Sequence, residues 1–410
     1  MPDQHDLPPE GASPARERIA GPQSAIRNPQ SAIDRPDLIV FHGRGGASAP
    51  ERLVDGARRA STRQLLDDAA VAGAFHRIVL VTNDRGLAAE LRGAHPGLLV
   101  EPTPDAIDFD RQLRATVARL DPAPAAIVYM GGGGAPLLGA DDLRGLVAAI
   151  VEPGRVYANS YLSSDWVAFR PADALARAGP IRNDNDLAWR LHHDAGLARV
   201  PSEAGPLDRL DIDTPVDLAL LRLAPGVPPQ LRAYLEAHAP ALPALAAVEA
   251  TMADPYRTVI LAGRLNTRIL AAIEQEVSFL KRLIIEERGM YASGRQERGE
   301  VRSLLAILLR EAGPARFFAH LADLGDAAVL DTRPLFAHLV PDLSPADRFA
   351  SDLLRPDLVA DPLAREFTAA AREAPLPVVL GGHALVTGGL WLLAQRVKAA
   401  KAASAQSKPS

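Results

Sequence analysis

Short apolar runs recur through the first half of the chain, at 37–41 (DLIVF), 76–82 (HRIVLVT), 97–102 (GLLVEP) and 125–130 (AAIVYM). Each is nearly uniform in its apolar character, which is the pattern of a strand buried on both faces. Between them, at 62–73, 86–93, 108–120 and 141–150, apolar residues return at the helical period and mark one buried face. Strand and helix in alternation predict an α/β domain, because the helices that join parallel strands must cover both faces of the sheet.

The rhythm changes after residue 150. Residues 155–171 (RVYANSYLSSDWVAFRP) alternate apolar and polar, as a half-exposed strand pair does, and 183–196 (NDNDLAWRLHHDAG) reads as a polar loop entering a helix. Residues 224–256, rich in Pro and Ala, read as a linker with a short helix. From 257 to 402 the pattern is mainly helical: Leu265, Ile269, Ile273, Val277, Leu280 and Ile284 form one apolar stripe along a long helix that Gly289 ends, with further helices at 301–311, 314–323, 345–354, 362–373 and 389–402. The expected organisation is a leader (1–35), an α/β domain (36–223), the linker (224–256), a mainly α-helical second domain (257–402) and a disordered tail (403–410).

Composition narrows the function classes. The 410 residues carry a net charge of -5, so no general basic field favours nucleic acid. Cysteine is absent, which removes disulfides, thiolate nucleophiles and cysteine-ligated zinc, and fits a cytoplasmic setting. The leader holds no apolar run of signal-peptide length. It contains a tandem repeat, PQSAIRN then PQSAIDR, and its composition predicts disorder. Residues 376–395 are long and uncharged enough to suggest a membrane span, yet Pro375, Pro377, two Gly-Gly pairs and His383 favour a buried strand, a glycine turn and a helix starting near Gly389.

The chemistry-bearing positions lie at strand ends. HGRGG (42–46) follows the first strand, and the four glycines Gly131, Gly132, Gly133 and Gly134 follow the fourth. At the carboxyl edge of such a sheet, glycine lets backbone approach a ligand closely. In LDRLDIDTPVDLALLRL (207–223), Thr214, Pro215 and Asp217 suit a helix start. That leaves Asp211 and Asp213, two apart on an extended segment and therefore on one face. His192 and His193 have no partner at metal spacing, and no Ser-His-Asp or His-x-x-x-His order supports hydrolase chemistry. In the second half, RGMYASGRQERG (288–299), DTR (331–333) with His338, and GGH (381–383) are polar features that a solvated loop, a helix boundary and a glycine turn also explain.

The order of a glycine loop after the first strand, Gly134-Ala135-Pro136-Leu137-Leu138 after the fourth and the late DIDTPVDL resembles the NTP-transferase family that includes molybdenum-cofactor guanylyltransferase and 2-phospholactate guanylyltransferase. The resemblance covers residues 37–223. It implies a nucleotide-binding three-layer α/β/α fold with a mixed sheet, GT-A-like, and transfer of a nucleoside monophosphate from an NTP to a small phosphorylated or carboxylated acceptor. It also implies Mg2+ held by Asp213 with Asp211, a nucleotide embraced by Gly43, Gly45, Gly46 and Gly131 to Gly134, and phosphate charge offset by Arg44 and Arg52. The chain departs from the family at two places. Gly134 stands where the family has its first metal-binding acid, with Asp141, Asp142 and Asp165 as the candidates to replace it, and Arg52 stands for the loop lysine. Two alternatives stay open: a nucleotide-binding or regulatory module without turnover, and a nucleotide-sugar-dependent glycosyltransferase. The expected partners are a nucleotide and a small-molecule acceptor, with no nucleic acid and no membrane, and the helical half is free to regulate, to form a homo-oligomer or to complete the acceptor site.

Overall fold

A computed structural model describes residues 34–104, 107–201 and 205–406, so nearly all of the leader and the last residues of the tail lie outside the described residues. The expected strands form where the apolar runs stand: β1 (Asp37–His42), β2 (Ile78–Thr82), β3 (Leu99–Pro102) and β4 (Ile127–Gly131). Helices α1 (Ala49–Ala72), α2 (Arg85–Ala94), α3 (Phe109–Arg119) and α4 (Ala140–Ala149) join them. The chain then adds β5 (Arg155–Ala158), β6 (Trp166–Arg170), the short α5 (Ala174–Arg177), α6 (Asp184–His193), β7 (Ala198–Arg199) and α7 (Pro215–Leu223).

The first seven strands make one mixed sheet in the order β3-β2-β1-β4-β6-β5-β7. β1 pairs in parallel with both β2 and β4, while β6 runs antiparallel to β4. The chain moves outward from β1 to β3 and then returns to β4 on the other side of β1. That reversal opens a crevice at the carboxyl ends of β1 and β4, the place where open α/β sheets bind ligands. Both glycine loops leave the sheet there. The β5–β6 pair is buried rather than half-exposed, with Tyr157, Trp166 and Phe169 all enclosed, because helices cover this part of the sheet on both faces.

Residues 224–256 hold two helices, α8 (Pro229–His238) and α9 (Pro243–Ala253), whose Leu231, Leu235, Leu245 and Val248 are buried. The second half, expected to be mainly helical, is built on a second sheet. β8 (Thr258–Gly263), β9 (Leu280–Ile285), β10 (Ala327–Asp331) and β11 (Val378–Gly381) are all parallel, in the order β11-β10-β8-β9. The single helix expected across Leu265–Ile284 is two elements, α10 (Thr267–Glu276) and β9. Its stripe misleads because four-residue spacing also fits a strand, where every second residue shares a face, and the β-branched Ile284 and Ile285 favour the strand. Helices α11 (Leu304–Ala312), α12 (Pro314–Leu324), α13 (Arg333–Leu339), α14 (Pro345–Asp352) and α15 (Pro362–Arg372) surround this sheet. After β11 comes a π-helical turn (Leu385–Gly389) and α16 (Leu390–Gln406), and among the described residues no helix is long and apolar enough to cross a membrane. The chain is therefore α/β in both halves, with one seven-stranded mixed sheet and one four-stranded parallel sheet.

Candidate functional site

A cleft of about 290 Å³ opens at the β1/β4 reversal. Phe41, His42 and Gly43 line it from the end of β1, Gly131 to Gly134 from the end of β4, Arg58 from α1, Asp165 from the start of β6, Asn183 and Asp184 from the start of α6, and Asp211 and Asp213 from the late motif. The sequence-nominated Gly43, the four glycines and both late aspartates therefore meet in one place. Ile212, between the aspartates, is fully buried and points away from their shared face, as the extended segment requires.

The rest of the first glycine loop stays outside the lining. Gly45 donates its amide to Asp55 Oδ1 (2.8 Å), and Gly46 sits against the Glu51 side chain. Arg44 is exposed, with its amide bonded to Asn83 Oδ1 (2.7 Å), and Arg52 turns back to the Ala47 carbonyl. Of the three acids nominated to replace the one missing at Gly134, only Asp165 lines the cleft. Asp142 accepts from the Gly139 amide (2.9 Å) and Asp141 pairs with Arg144 on the surface.

The glycine run is glycine mainly for the protein's own packing. A Cβ on Gly132 would lie 2.6 Å from Thr62 Oγ1, one on Gly134 would lie 2.7 Å from the Asp165 carbonyl oxygen, and one on Gly133 would press Arg58 Cγ at 3.0 Å. Only Gly131 has ordinary room, with its nearest neighbour at 3.7 Å. The amides of Gly131, Gly132 and Gly134 are bonded to the carbonyls of Asp165, Phe41 and Gly131 (3.1, 2.8 and 3.0 Å). The loop's bare backbone thus lets Asp165, Arg58 and the late motif close in around the cleft, and the Ile212 amide bonded to the Gly133 carbonyl (2.9 Å) ties loop to motif.

Negative charge is concentrated on one wall. Burial first, and the nearby Asp213 second, push the carboxyls of Asp165 and Asp211 well above the usual range. The same causes raise Asp184 to about 6 and Asp217, just behind the wall, to about 7. Tyr129 donates to Asp184 Oδ2 (3.2 Å), and Asn159 donates to Asp165 Oδ2 (2.6 Å). Asp217 accepts from the amides of Asp213 (3.0 Å) and Thr214 (2.6 Å), so the predicted helix start is made by Asp217, while the buried Thr214 hydroxyl has no hydrogen-bond partner among the described residues. Arg58 answers this wall: its Nε donates to the Ile212 carbonyl (2.6 Å) and its Nη2 to Asp213 Oδ1 (2.8 Å).

One oxygen of Asp211 and one of Asp217 are buried with no hydrogen-bond partner among the described residues. A cluster of ionisable oxygens with orphaned atoms suits a hard divalent cation, which accepts one or two carboxylates and completes its shell with substrate phosphates and water. Among the described residues no three His, Asp or Glu side chains are spaced to hold an ion by themselves, so such an ion needs the substrate's oxygens.

Sequence reading missed Arg58, His42 and the role of Asp184. Arg58 lies on the first turns of α1, where Pro50 and Gly56 hide the helical pattern. Asp184 sits in the NDND run, which reads first as a helix cap. Only the glycine loop beside His42 could have signalled it.

No family model matches the chain, and no curated protein matches it. Solved structures do resemble parts of it. A nucleotidyl transferase from Methanothermobacter thermautotroptrophicus has 16% identity and a TM-score of 0.36, over 50% of this chain and 99% of that one. Rv0371c from Mycobacterium tuberculosis H37Rv has 22% identity and a TM-score of 0.32, over 46% and 99%. The 4-diphosphocytidyl-2C-methyl-D-erythritol synthase from Anaerococcus prevotii DSM 20548 has 13% identity and a TM-score of 0.29, over 36% and 75%. Likeness at this level does not establish a family, and the functional reading rests on the cleft.

Proposed function

We propose that the protein is a nucleotidyltransferase that joins the nucleoside monophosphate of an NTP to a small phosphorylated or carboxylated acceptor and releases pyrophosphate. The observation that carries this reading is the convergence of Gly43, Gly131 to Gly134, Asp165, Asp211 and Asp213 on one cleft at the sheet reversal. An acceptor oxygen attacks the α-phosphorus, the bond from that phosphorus to the bridging oxygen breaks, and pyrophosphate leaves with the electron pair. Charge grows on the phosphoryl oxygens and on the leaving group, and fixed cations must offset it.

A triphosphate does not enter an acidic cleft unaided. Asp213 and Asp211 are the residues that would hold Mg2+ or a similar ion together with the substrate's oxygens, and the ion would supply positive charge at the phosphates when bound. Arg58, the one cation among the described residues of the lining, contributes fixed charge and holds the Asp213 segment against α1. We assign to Asp165 the place left by the glycine at 134, because its backbone packs against Gly134, it lines the same cleft, and it interacts electrostatically with Asp213. This favours turnover over a module that only binds.

The reading is tested by thermal shift with each NTP, with and without Mg2+, on the parent and Asp213→Ala, followed by pyrophosphate release with candidate acceptors. A metal-dependent nucleotide shift that Asp213→Ala removes is the expected outcome. A nucleotide shift indifferent to both metal and Asp213 would favour the binding module, and a response to nucleotide-sugars alone would favour glycosyl transfer.

A further inference from the structure

The two sheets end in four edge strands, and three of them are protected against pairing with another chain. β3 ends in Pro102 and its Glu101 is tied to Thr116 and Arg119, β7 is two residues long, and β11 is buried throughout. β9 has none of these defences. Its six residues, LKRLII, hold no proline, and Leu280, Leu283 and Ile285 are 53%, 43% and 42% exposed. Lys281 does not guard the edge, because its ammonium turns inward to the Phe279 carbonyl (3.2 Å).

Among the described residues β9 pairs with β8 alone. On that side the amides of Leu280 and Glu286 bond to the carbonyls of Arg257 and Gly263 (3.0 and 3.1 Å). Successive residues of a strand turn their N–H and C=O groups to opposite sides, so those of Leu283 and Ile285 face outward. The apolar surface continues past the strand. Glu286 holds the Leu304 amide (2.9 Å) at the start of α11, with Ile307 one turn on, and the Leu324 carbonyl accepts from Arg282 (2.6 Å). Leu280, Leu283, Ile285, Leu304, Ile307 and Leu324 are six of the twelve exposed large apolar side chains among the described residues. An unpaired edge set in such a patch is a surface for another strand.

Charge along the strand selects the partner. Arg282 and Glu286 stand two residues to either side of Ile284 and share its face. Neither has an ion pair among the described residues: Arg282 donates to the Leu324 carbonyl, and Glu286 accepts from the Ser303 hydroxyl (2.6 Å) and the Leu304 amide. A second β9 laid antiparallel about a twofold axis at Ile284 sets Arg282 of each copy opposite Glu286 of the other. The same register sets Leu283 opposite Ile285 at the hydrogen-bonded positions, where their outward groups are exchanged, and Ile284 opposite itself at the non-bonded one. Glu287 (φ 56°) then turns the chain away and ends the ladder.

We propose that β9 is the contact of a symmetric homodimer, in which a second copy of this chain adds its own β9 antiparallel and the two four-stranded sheets become one sheet of eight strands. The proposal is independent of the nucleotidyl-transfer reading.

Sedimentation equilibrium of the full chain at micromolar concentrations tests it, with a reversible monomer–dimer equilibrium expected. Leu283→Lys should raise the dissociation constant about tenfold or more with an unchanged far-UV circular dichroism spectrum, while Val71→Lys, at an exposed position on α1, should leave it unaltered. The register has its own test, since the chain contains no cysteine. Ile284→Cys places two thiols on a non-bonded antiparallel pair, whose Cα atoms lie about 4.5 Å apart, so mild oxidation should yield a covalent dimer. Leu280→Cys should not cross-link, because its counterpart lies about 25 Å away along the paired strands. A chain that stays monomeric would mean that the edge is covered from within, by the leader or otherwise, and overturns the proposal. A dimer indifferent to Leu283→Lys, or one that Leu280→Cys cross-links as readily as Ile284→Cys, overturns it as well.

Discussion

At the scale of the residue, the wall behind the cleft is set by a short relay of single groups. Thr62 has one hydroxyl hydrogen and gives it to the Gly132 carbonyl (3.1 Å), so towards His42 the same oxygen accepts, and His42 Nδ1 (3.0 Å) carries the hydrogen. The neutral ring then leaves Nε2 as a buried lone pair with no partner among the described residues. Burial above all holds the His42 pKa at about 4, with Asp55 pulling it up and Arg58 pulling it down. Because the folded value lies below the ordinary 6.5, the unfolded chain takes up the proton first as pH falls. The contribution of His42 is therefore whole above pH 6.5 and is lost as pH drops towards 4, by about 3 kcal/mol. His383, held at about 3, acts with the same sign, whereas Asp184, raised from 3.8 to about 6, contributes fully below pH 3.8 and loses that contribution as pH rises to about 6. Comparison with His42→Gln isolates the first of these: its melting temperature should fall less than the parent's between pH 6.5 and 4.5, and parallel profiles would refute the assignment. The glycine run gives a sharper steric test. Gly132→Ala should cost about 1–3 kcal/mol, since the new methyl meets Thr62 Oγ1 and His42 Nδ1, while Gly131→Ala should lie within about 1 kcal/mol of the parent. Equal melting temperatures for the two variants would mean that the loop is not packed as described.

At the scale of the element, α1 is the piece that turns two loops into a cleft. Its start is fixed by Ser48, which accepts from the Glu51 amide while Glu51 accepts from the Ser48 amide, and Arg58 then reaches from its middle to the late motif. The ion pair with Asp213 is largely open to solvent and adds little by itself. The hydrogen bond to the Ile212 carbonyl is the structural part. Arg58→Ala should therefore destabilise by about 1 kcal/mol, and should reduce NTP binding by more than that loss accounts for. Chemical denaturation and nucleotide titration on the same variant separate the two, and unchanged nucleotide affinity would remove Arg58 from the site. How much of this was legible in the sequence follows the same division. Strands β1 to β4 announce themselves because a parallel strand covered on both faces is apolar throughout, and Asp211 and Asp213 stand out because a helix start explains their neighbours but not them. The first half of α1 was hidden by Pro50 and Gly56, and Arg58 with it. Asp165 and Asp184 reach the cleft only through the crossing of β6 and α6, a contact between distant segments that no local pattern encodes. The second sheet was missed because β9 carries a spacing shared by strand and helix, and because β8, β10 and β11 are short runs embedded in helical sequence.

At the scale of the whole molecule, the second sheet shares one of its two cores with helices of the first half. Val54 and Ala57 of α1, Leu218 and Leu220 of α7, Leu231 and Leu235 of α8, Val259 and Leu261 of β8 and Leu385 beyond β11 belong to one buried apolar cluster. The junction is close: Tyr234 of α8 donates to the Leu53 carbonyl (2.9 Å), and a Cβ on Gly389 would lie 2.6 Å from Leu220 Cδ1. With this apolar surface shared, the second half cannot open without exposing the buried faces of α1, α7 and α8. Calorimetry of the full chain should therefore give one transition whose calorimetric and van't Hoff enthalpies agree. Leu220→Ala, which opens a void at the junction, should lower that single transition by about 2–5 kcal/mol of stability without splitting it. It should also weaken the metal-dependent NTP shift, since α7 starts two residues after Asp213 and carries the late motif into the cleft. Two resolved transitions, with the NTP shift confined to one of them and untouched by Leu220→Ala, would show that the halves fold and work independently.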